Sequence, residues 1–274
     1  MKPAPILLIV TPTLGDSPYL DQTVDAVRAQ RLNIRHVLAA PAARVSALQD
    51  RYPHARVVPD AGRAGGIYGA LNAALEQVPS GWDWFTYIND DDVLLPGFTT
   101  AATRHFLSSD QALVTYGDVE LIDEDDRGLG RITVAPDPRW IPALLQQGIS
   151  PLMQQGTLFH HDCVARLRAF DLRYRLCADL DFWLRACAAG ERFRYFALPV
   201  AQFRLRRGQL SGDTRLTDRE QTEIVQRLFP ARLPGWQRQA TRLRYRLHNL
   251  PRYLERFRAR GFRTSYQMLQ QATG

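Results

Sequence analysis

The sequence predicts an α/β fold: a mostly parallel central sheet flanked by helices, followed by a helical C-terminal extension. Three observations predict it. Short apolar runs alternate with helical periodicity through the first half, the pattern of βαβ units. An aromatic-rich apolar run, Trp82–Ile88, leads without a break into Asn89-Asp90-Asp91-Asp92, then Val93–Leu95 and Pro96-Gly97. Beyond residue 231 the pattern is helical and basic, with ten arginines against one acid, Glu255, from Arg232 to Arg263.

Composition sets the class. The 274 residues are 45% hydrophobic and 23% charged, ordinary for a soluble globular protein. The net charge of +7 belongs to the tail, and the rest of the chain is close to neutral. Three cysteines without regular spacing imply reduced thiols in a cytosolic setting. The apolar run Ile6–Val10 is far too short to span a membrane and is followed by no small-residue cleavage site. It reads as a buried first strand, and a cytoplasmic chain without a membrane anchor is expected.

The elements follow in order. Strand Ile6–Val10 ends in Thr11-Pro12-Thr13-Leu14-Gly15. Asp16 or Ser17 caps a helix over Tyr19–Gln30, with Pro18 in its first turn and Leu20, Val24 and Val27 on one face. His36–Ala40 is a strand, Val45–Tyr52 a helix and Ala55–Val58 a short strand. The glycine-rich loop Asp60–Gly66 opens a helix over Ile67–Gln77, where free amides and Arg63 suit a phosphate. There is no G-x-G-x-x-G and no Walker A sequence. After the aspartates come a helix over Thr99–Leu107, a strand over Leu113–Tyr116 and a solvated acidic turn at Asp123–Asp126. A short amphipathic helix lies within Pro136–Gly148, and Met153–Phe159 reads as a strand. His160 and His161, adjacent on an extended chain, point to opposite sides and read as structural. A strand over Phe193–Phe203 leads into a basic loop, Arg204–Ser211, and a helix over Thr217–Leu228.

Two acidic clusters carry the chemistry. Adjacent carboxylates between buried runs repel one another, and a hard divalent cation offsets that repulsion. In open α/β sheets ligands bind beyond the carboxyl ends of strands, where the Asp90–Asp92 triplet lies. Asp179 and Asp181 begin a helix before Phe182-Trp183-Leu184; one can cap while the other faces a cleft as a base. The arginine-rich tail, with Leu243, Leu247, Leu250, Tyr253, Leu254 and Phe257, reads as an element attracted to an anionic membrane surface over 232–263. A solvated helical cap is the plain alternative, and nucleic acid is not an expected partner.

Taken together, Thr11-Pro12-Thr13, Gly66-Ile67-Tyr68-Gly69-Ala70-Leu71-Asn72, Ile88–Asp92 with Leu95-Pro96-Gly97, Tyr116-Gly117-Asp118 and Asp179–Arg185 form an ordered set. That set resembles the inverting family 2 glycosyltransferases of the GT-A fold, over roughly residues 5–211. The resemblance implies a Rossmann-like GT-A domain at 1–215 and leaves 216–274 as a basic amphipathic extension. It implies transfer from a UDP- or other NDP-sugar donor to a glycan acceptor, as in polysaccharide biosynthesis, and the basic amphipathic tail suggests a lipid-linked glycan held at the inner face of the membrane. Asp92 matches the last Asp of the family's D-x-D motif, holding Mn²⁺ or Mg²⁺, with Asp90 completing it. Asp91 matches the ribose neighbour, and Tyr68 and Asn72 match the signature beside the donor. Thr11, Pro12, Thr13, Asp60, Arg63, Arg206 and Arg207 fall beside the nucleotide and diphosphate. Asp179 matches the family's general base, but Ala178 replaces the preceding Glu, so Asp179 and Asp181 both stand as candidates. Further departures are Ala39–Ala43 in place of an acidic turn, and Ala64 in place of an acid before Gly-Ile-Tyr. These departures motivate the rival reading of a non-catalytic nucleotide-sugar-binding module. A sugar-phosphate nucleotidyltransferase is discounted, because Thr11–Gly15 holds no Arg or Lys.

Overall fold

The computed structural model describes residues 4–108, 110–206, 209 and 213–261. Its centre is strand β1 (Ile6–Pro12), whose Leu7, Leu8, Ile9 and Val10 are fully buried. Alternate residues of a strand face opposite sides, so β1 feeds two cores. Leu8 and Val10 pack with Leu71 and Phe182 on one side, Leu7 and Ile9 with Val27 and Phe98 on the other. A strand buried on both faces must be apolar throughout, which is why the opening run shows no alternation.

Around β1 lie β2 (Asn33–Pro41), β3 (Arg56–Asp60) and β4 (Trp84–Tyr87), all parallel in the order β3-β2-β1-β4. The helices α1 (Leu20–Arg28), α2 (Val45–Arg51) and α3 (Gly66–Gln77) connect them. Beyond β4 the sheet is mixed. It continues through β8 (Leu158–His160), β6 (Val114–Ile122), β9 (Phe193–Arg204) and β5 (Val93–Leu94), with β7 (Gly128–Arg131) paired to β6. β8 runs antiparallel to both β4 and β6, and β9 runs parallel to β6. β4 and β9 therefore deliver their carboxyl ends to the same edge of the molecule. Helix α4 (Pro96–Phe106) starts against β9 so closely that a Cβ on Gly97 would stand 1.9 Å from the Pro199 carbonyl oxygen.

Some expected boundaries shift for local reasons. No side chain caps α1; Ser17 Oγ instead accepts from Tyr19 N (3.3 Å) and donates to the Asp90 carbonyl (2.9 Å). Of the expected strand Met153–Phe159 only its end pairs, as β8. Gly156 turns the chain at φ 74° against Val200, so the residues before it form a loop. β6 runs to Ile122, beyond its expected end. His160 closes β8 and His161 opens α6 (His161–Leu167), each ring edge-on to a tryptophan, Trp84 and Trp82. The acidic turn after β6 is not wholly solvated, since Asp126 pairs with Arg204 at 2.7 Å.

Past α5 (Ile141–Leu145) and α7 (Ala178–Ala188), three helices close the chain: α8 (Thr214–Leu228), α9 (Gly235–His248) and α10 (Leu250–Arg260). α8 and α10 are fastened to the sheet domain by buried polar groups. The Glu220 carboxylate accepts from the backbone of Arg175, Leu176 and Cys177 at 2.8–2.9 Å. On α10, Arg252 Nη2 donates to both oxygens of the buried Asp118 (2.6 and 2.8 Å), and Asn249 pairs both ways with the Val134 backbone. Asp118 also accepts from Tyr195 Oη (2.6 Å) and Arg131 Nη1 (3.2 Å).

Removing one partner of a buried ion pair leaves an uncompensated charge. Arg252→Ala is expected to cost about 2–4 kcal/mol in urea denaturation, below the upper end because Tyr195 and Arg131 remain on Asp118. A loss within about 0.5 kcal/mol, the usual range of a surface change, would show that this contact does not hold α10.

Candidate active site

The site forms where β4 and β9 end. Asp92 N bonds back to the Asn89 carbonyl (3.2 Å), turning the chain so that the three carboxylates diverge. Asp90 is half-buried and accepts from Thr13 Oγ1 at 2.6 Å. Thr13 in turn caps the turn at Gly15 N (2.9 Å). Asp91 is nearly buried and ion-paired with Arg206 Nε. Asp92 has no exposure; Arg204 N (2.9 Å) holds one oxygen, and Gln155 Nε2 (2.8 Å) and Asn89 Nδ2 (3.3 Å) hold the other. Burial, then the neighbouring Asp91 charge, raises the Asp92 carboxyl well above its usual range.

Those contacts separate roles that adjacency in the sequence could not. Asp92, expected to hold the metal, has both oxygens hydrogen-bonded and no exposure. Asp91 is buried with one oxygen on Arg206, and Asp90 beside it keeps partial exposure. Adjacent carboxylate oxygens are hard donors suited to Mn²⁺ or Mg²⁺. Among the described residues no third His, Cys, Asp or Glu joins them. An ion there fits the usual habit of magnesium sites, in which one or two carboxylates are supplemented by substrate phosphate and water.

A buried arginine organises this corner. Arg204 is fully buried, with Nε on the Asp91 carbonyl (2.9 Å), Nη1 on the Asp123 carbonyl (2.9 Å) and Nη2 on Gln22 Oε1 (2.6 Å). Its guanidinium lies 4.2 Å from the Tyr19 ring centre. In the sequence it is one of three arginines in a basic loop, with nothing to mark it as the buried one. Arg206 is the second, on Asp91. Arg207 lies outside the described residues.

The second acidic cluster resolves as well. Asp179 is in the first turn of α7 and partly exposed. Its Oδ1 accepts from Leu180 N (2.7 Å) and from Tyr68 Oη (2.9 Å), a hydroxyl shared with the Leu176 carbonyl (3.0 Å), and Oδ2 lies 3.5 Å from Tyr87 Oη. Burial raises its carboxyl above the usual value, opposed by these hydrogen bonds. Asp181 is fully buried, held by Arg185 Nε (2.7 Å) and by Arg227 from α8. It is the centre of an ion-pair cluster with no exposure, whereas Asp179 keeps partial exposure. Tyr87 lies at the border of the two clusters: its hydroxyl is 3.5 Å from Asp179, and burial, then the Asp179 charge, raises its pKa.

The remaining candidates are dispersed. Thr11 is buried against His36 (3.0 Å), Pro12 is buried as the last residue of β1, and neither faces the cleft. Asn72 spends its amide on the Phe170 backbone, giving and accepting at 2.9 Å, so it anchors a loop. Tyr68 stacks on Phe170 and aims its hydroxyl at Asp179. Asp60 caps Gly62 N at 2.6 Å, and burial raises its carboxyl. Arg63 is exposed, 3.9 Å from Asp16. Sequence reasoning missed Tyr87 and Gln155. Tyr87 reads as strand core, and Gln155 gave no signal.

The model of glycosyl transferase family 2 matches residues 8–173, and the chain belongs to that family. An uncharacterized glycosyltransferase of Mycobacterium tuberculosis is 26% identical over 203 residues, which is 70% of this chain and 72% of that one. Among solved structures, S. aureus TarS (residues 1–349) in complex with UDP-GlcNAc superposes with a TM-score of 0.62 at 13% identity, over 92% of this chain and 79% of that one. The mannosyltransferase PcManGT from Pyrobaculum calidifontis, in complex with GDP-Man and Mn²⁺, gives 0.59 at 15% identity, over 99% and 80%. These likenesses show the fold, that of the GT-A glycosyltransferases.

Burial lifts the Asp90 carboxyl from 3.8 to about 6, with Thr13 opposing. Because the folded value lies above the unfolded one, ionised Asp90 is the disfavoured form. Stability then falls as pH rises from about 4 to about 6, and the penalty is complete above that. In chelator, Asp90→Asn should stabilise the protein above about pH 7 by up to roughly 3 kcal/mol and give nothing below about pH 4. Thermal denaturation at both pH values checks it; an equal effect at both would refute the titration.

Proposed function

We propose that this enzyme transfers a sugar from a nucleoside-diphosphate donor to an acceptor hydroxyl, on a glycan or lipid-linked glycan, by an inverting single displacement with Asp179 as general base. The observation that carries the reading is the Asp179 carboxylate. One oxygen is fixed by Tyr68 and Leu180, the other lies 3.5 Å from Tyr87 Oη, and the group sits at a helix start beside the end of β4. The matched family supplies the reaction class, and the UDP-GlcNAc and GDP-Man complexes of similar folds support a nucleotide-sugar donor.

In the proposed step Asp179 Oδ2 takes the acceptor proton and the acceptor oxygen forms a bond to the anomeric carbon. The bond from that carbon to the diphosphate oxygen breaks, and its electron pair leaves with the nucleoside diphosphate. Oδ1 stays held by Tyr68, so the base is oriented before the acceptor arrives. Its raised pKa makes Oδ2 a stronger proton acceptor once ionised. Asp90 and Asp91 would hold Mn²⁺ or Mg²⁺, which neutralises charge on the departing diphosphate. Arg206, paired with Asp91, adds a second positive charge there. Asp92 and Arg204 stay out of the reaction and keep the turn in place.

Asp179→Asn should lower transfer by about 10²–10⁴-fold while nucleotide binding, read by calorimetry, stays near wild type. Near-normal turnover in the purified variant would remove Asp179 as the base. Tyr68→Phe deletes a hydrogen bond to the charged form, so the Asp179 pKa should rise. The acid limb of kcat/KM should then move to higher pH by up to about one unit. An unmoved limb with unchanged kcat would mean the titrating base is another group.

A further inference from the structure

We propose that the outward face of α9 and α10 is a docking surface for an anionic lipid bilayer. This goes beyond the transfer reaction and does not depend on it. The two helices meet directly at Asn249, whose N–H closes α9 on the Tyr245 carbonyl (3.1 Å) and whose carbonyl accepts from Tyr253 N at the start of α10 (3.0 Å). On this pair the usual amphipathic order is reversed. The side facing the protein presents Tyr245, Asn249 and Arg252, all buried. The side facing out presents Trp236, Leu243, Leu247, Leu250 and Leu254, each between 49% and 71% exposed. Spacings of seven and four put Trp236, Leu243 and Leu247 on one face of α9, and a spacing of four puts Leu250 and Leu254 on one face of α10. Scattered exposed leucines need no explanation, but leucines grouped opposite a buried polar face mark an interaction surface.

Charge selects the occupant. Arg244, Arg246 and Arg258 are exposed beside these leucines. The only acid of the segment, Glu255, is already paired with Arg131. A second copy docking on this face would bring two arginine rims together, and like charges in contact are repulsive. Anionic headgroups neutralise the rim while the acyl boundary takes up the leucines, the geometry of an interfacial helix. No helix among the described residues is long and apolar enough to cross a membrane, so this contact lies along the surface.

The full chain is tested by co-sedimentation with vesicles of phosphatidylcholine alone and of phosphatidylcholine mixed with phosphatidylglycerol. The expected result is binding to the mixed vesicles that weakens with added salt, and little binding to the neutral ones. The triple variant Leu243→Gln, Leu247→Gln, Leu254→Gln should lose at least about tenfold in partition, and Arg244→Gln with Arg246→Gln a similar factor. Because all five positions are exposed, circular dichroism and thermal midpoint should stay at wild-type values. Undiminished binding by either variant, or equal binding to neutral and anionic vesicles, overturns the proposal. So does a concentration-dependent dimer in sedimentation velocity that the leucine variant abolishes, since a second copy would then cover the face.

Discussion

Three carboxylates cannot be drawn out of water side by side unless something answers their charge, and the fold is arranged around that constraint. Arg206 pairs with Asp91 and Thr13 donates to Asp90, and the turn that carries them is braced by Arg204. Its backbone N–H holds Asp92, its Nε holds the carbonyl of Asp91, and its outer nitrogens reach Asp123, Asp126 and Gln22. One buried guanidinium therefore ties the end of β4 to β9, the β6–β7 turn and α1. A buried charge is stable only when fully paired, so these elements are obliged to meet in this geometry.

What was legible in the sequence follows from which interactions are local. The parallel half of the sheet was readable because β1 is buried on both faces, and unbroken apolar runs report that directly. Placing the aspartates at a strand's carboxyl end located the site. The division of labour inside it was not readable. Asp91 and Asp92 differ by one position and are both buried, and only the turn at Asn89 decides which meets Arg206 and which meets Gln155. Asp181 looks like Asp179 until Arg227, 46 residues later, closes over it. Asn72 fits a donor-contacting signature, yet its amide is consumed by a backbone 98 residues away. The helix face of the tail was equally hidden, since leucines at helical spacing state that a stripe exists but not which way it points.

The C-terminal helices change how the site should be viewed. Glu220 of α8 collects three backbone N–H groups immediately before α7, and Arg227 of the same helix fixes Asp181 within it. The backbone that carries Asp179 is thus positioned from both sides by residues that follow residue 215. α10 contributes Arg252 to Asp118 on β6, well inside the sheet. A boundary drawn at 215 from the extent of the resemblance has residues in contact on both of its sides.

The two acidic clusters also show how one physical variable, desolvation, is put to different ends. At Asp92 it is complete, and three donors turn the residue into a fixture of the turn. At Asp90 it is partial, which leaves a carboxyl with a pKa of about 6 and an energetic reason to accept a cation. At Asp179 burial raises the pKa while Tyr68 and Leu180 keep the ionised form accessible. A base must be ionised to act yet basic enough to take a proton, and opposing terms of this kind set that balance. Tyr87, buried with its hydroxyl 3.5 Å from Asp179 Oδ2, is the side chain at which the two clusters border one another.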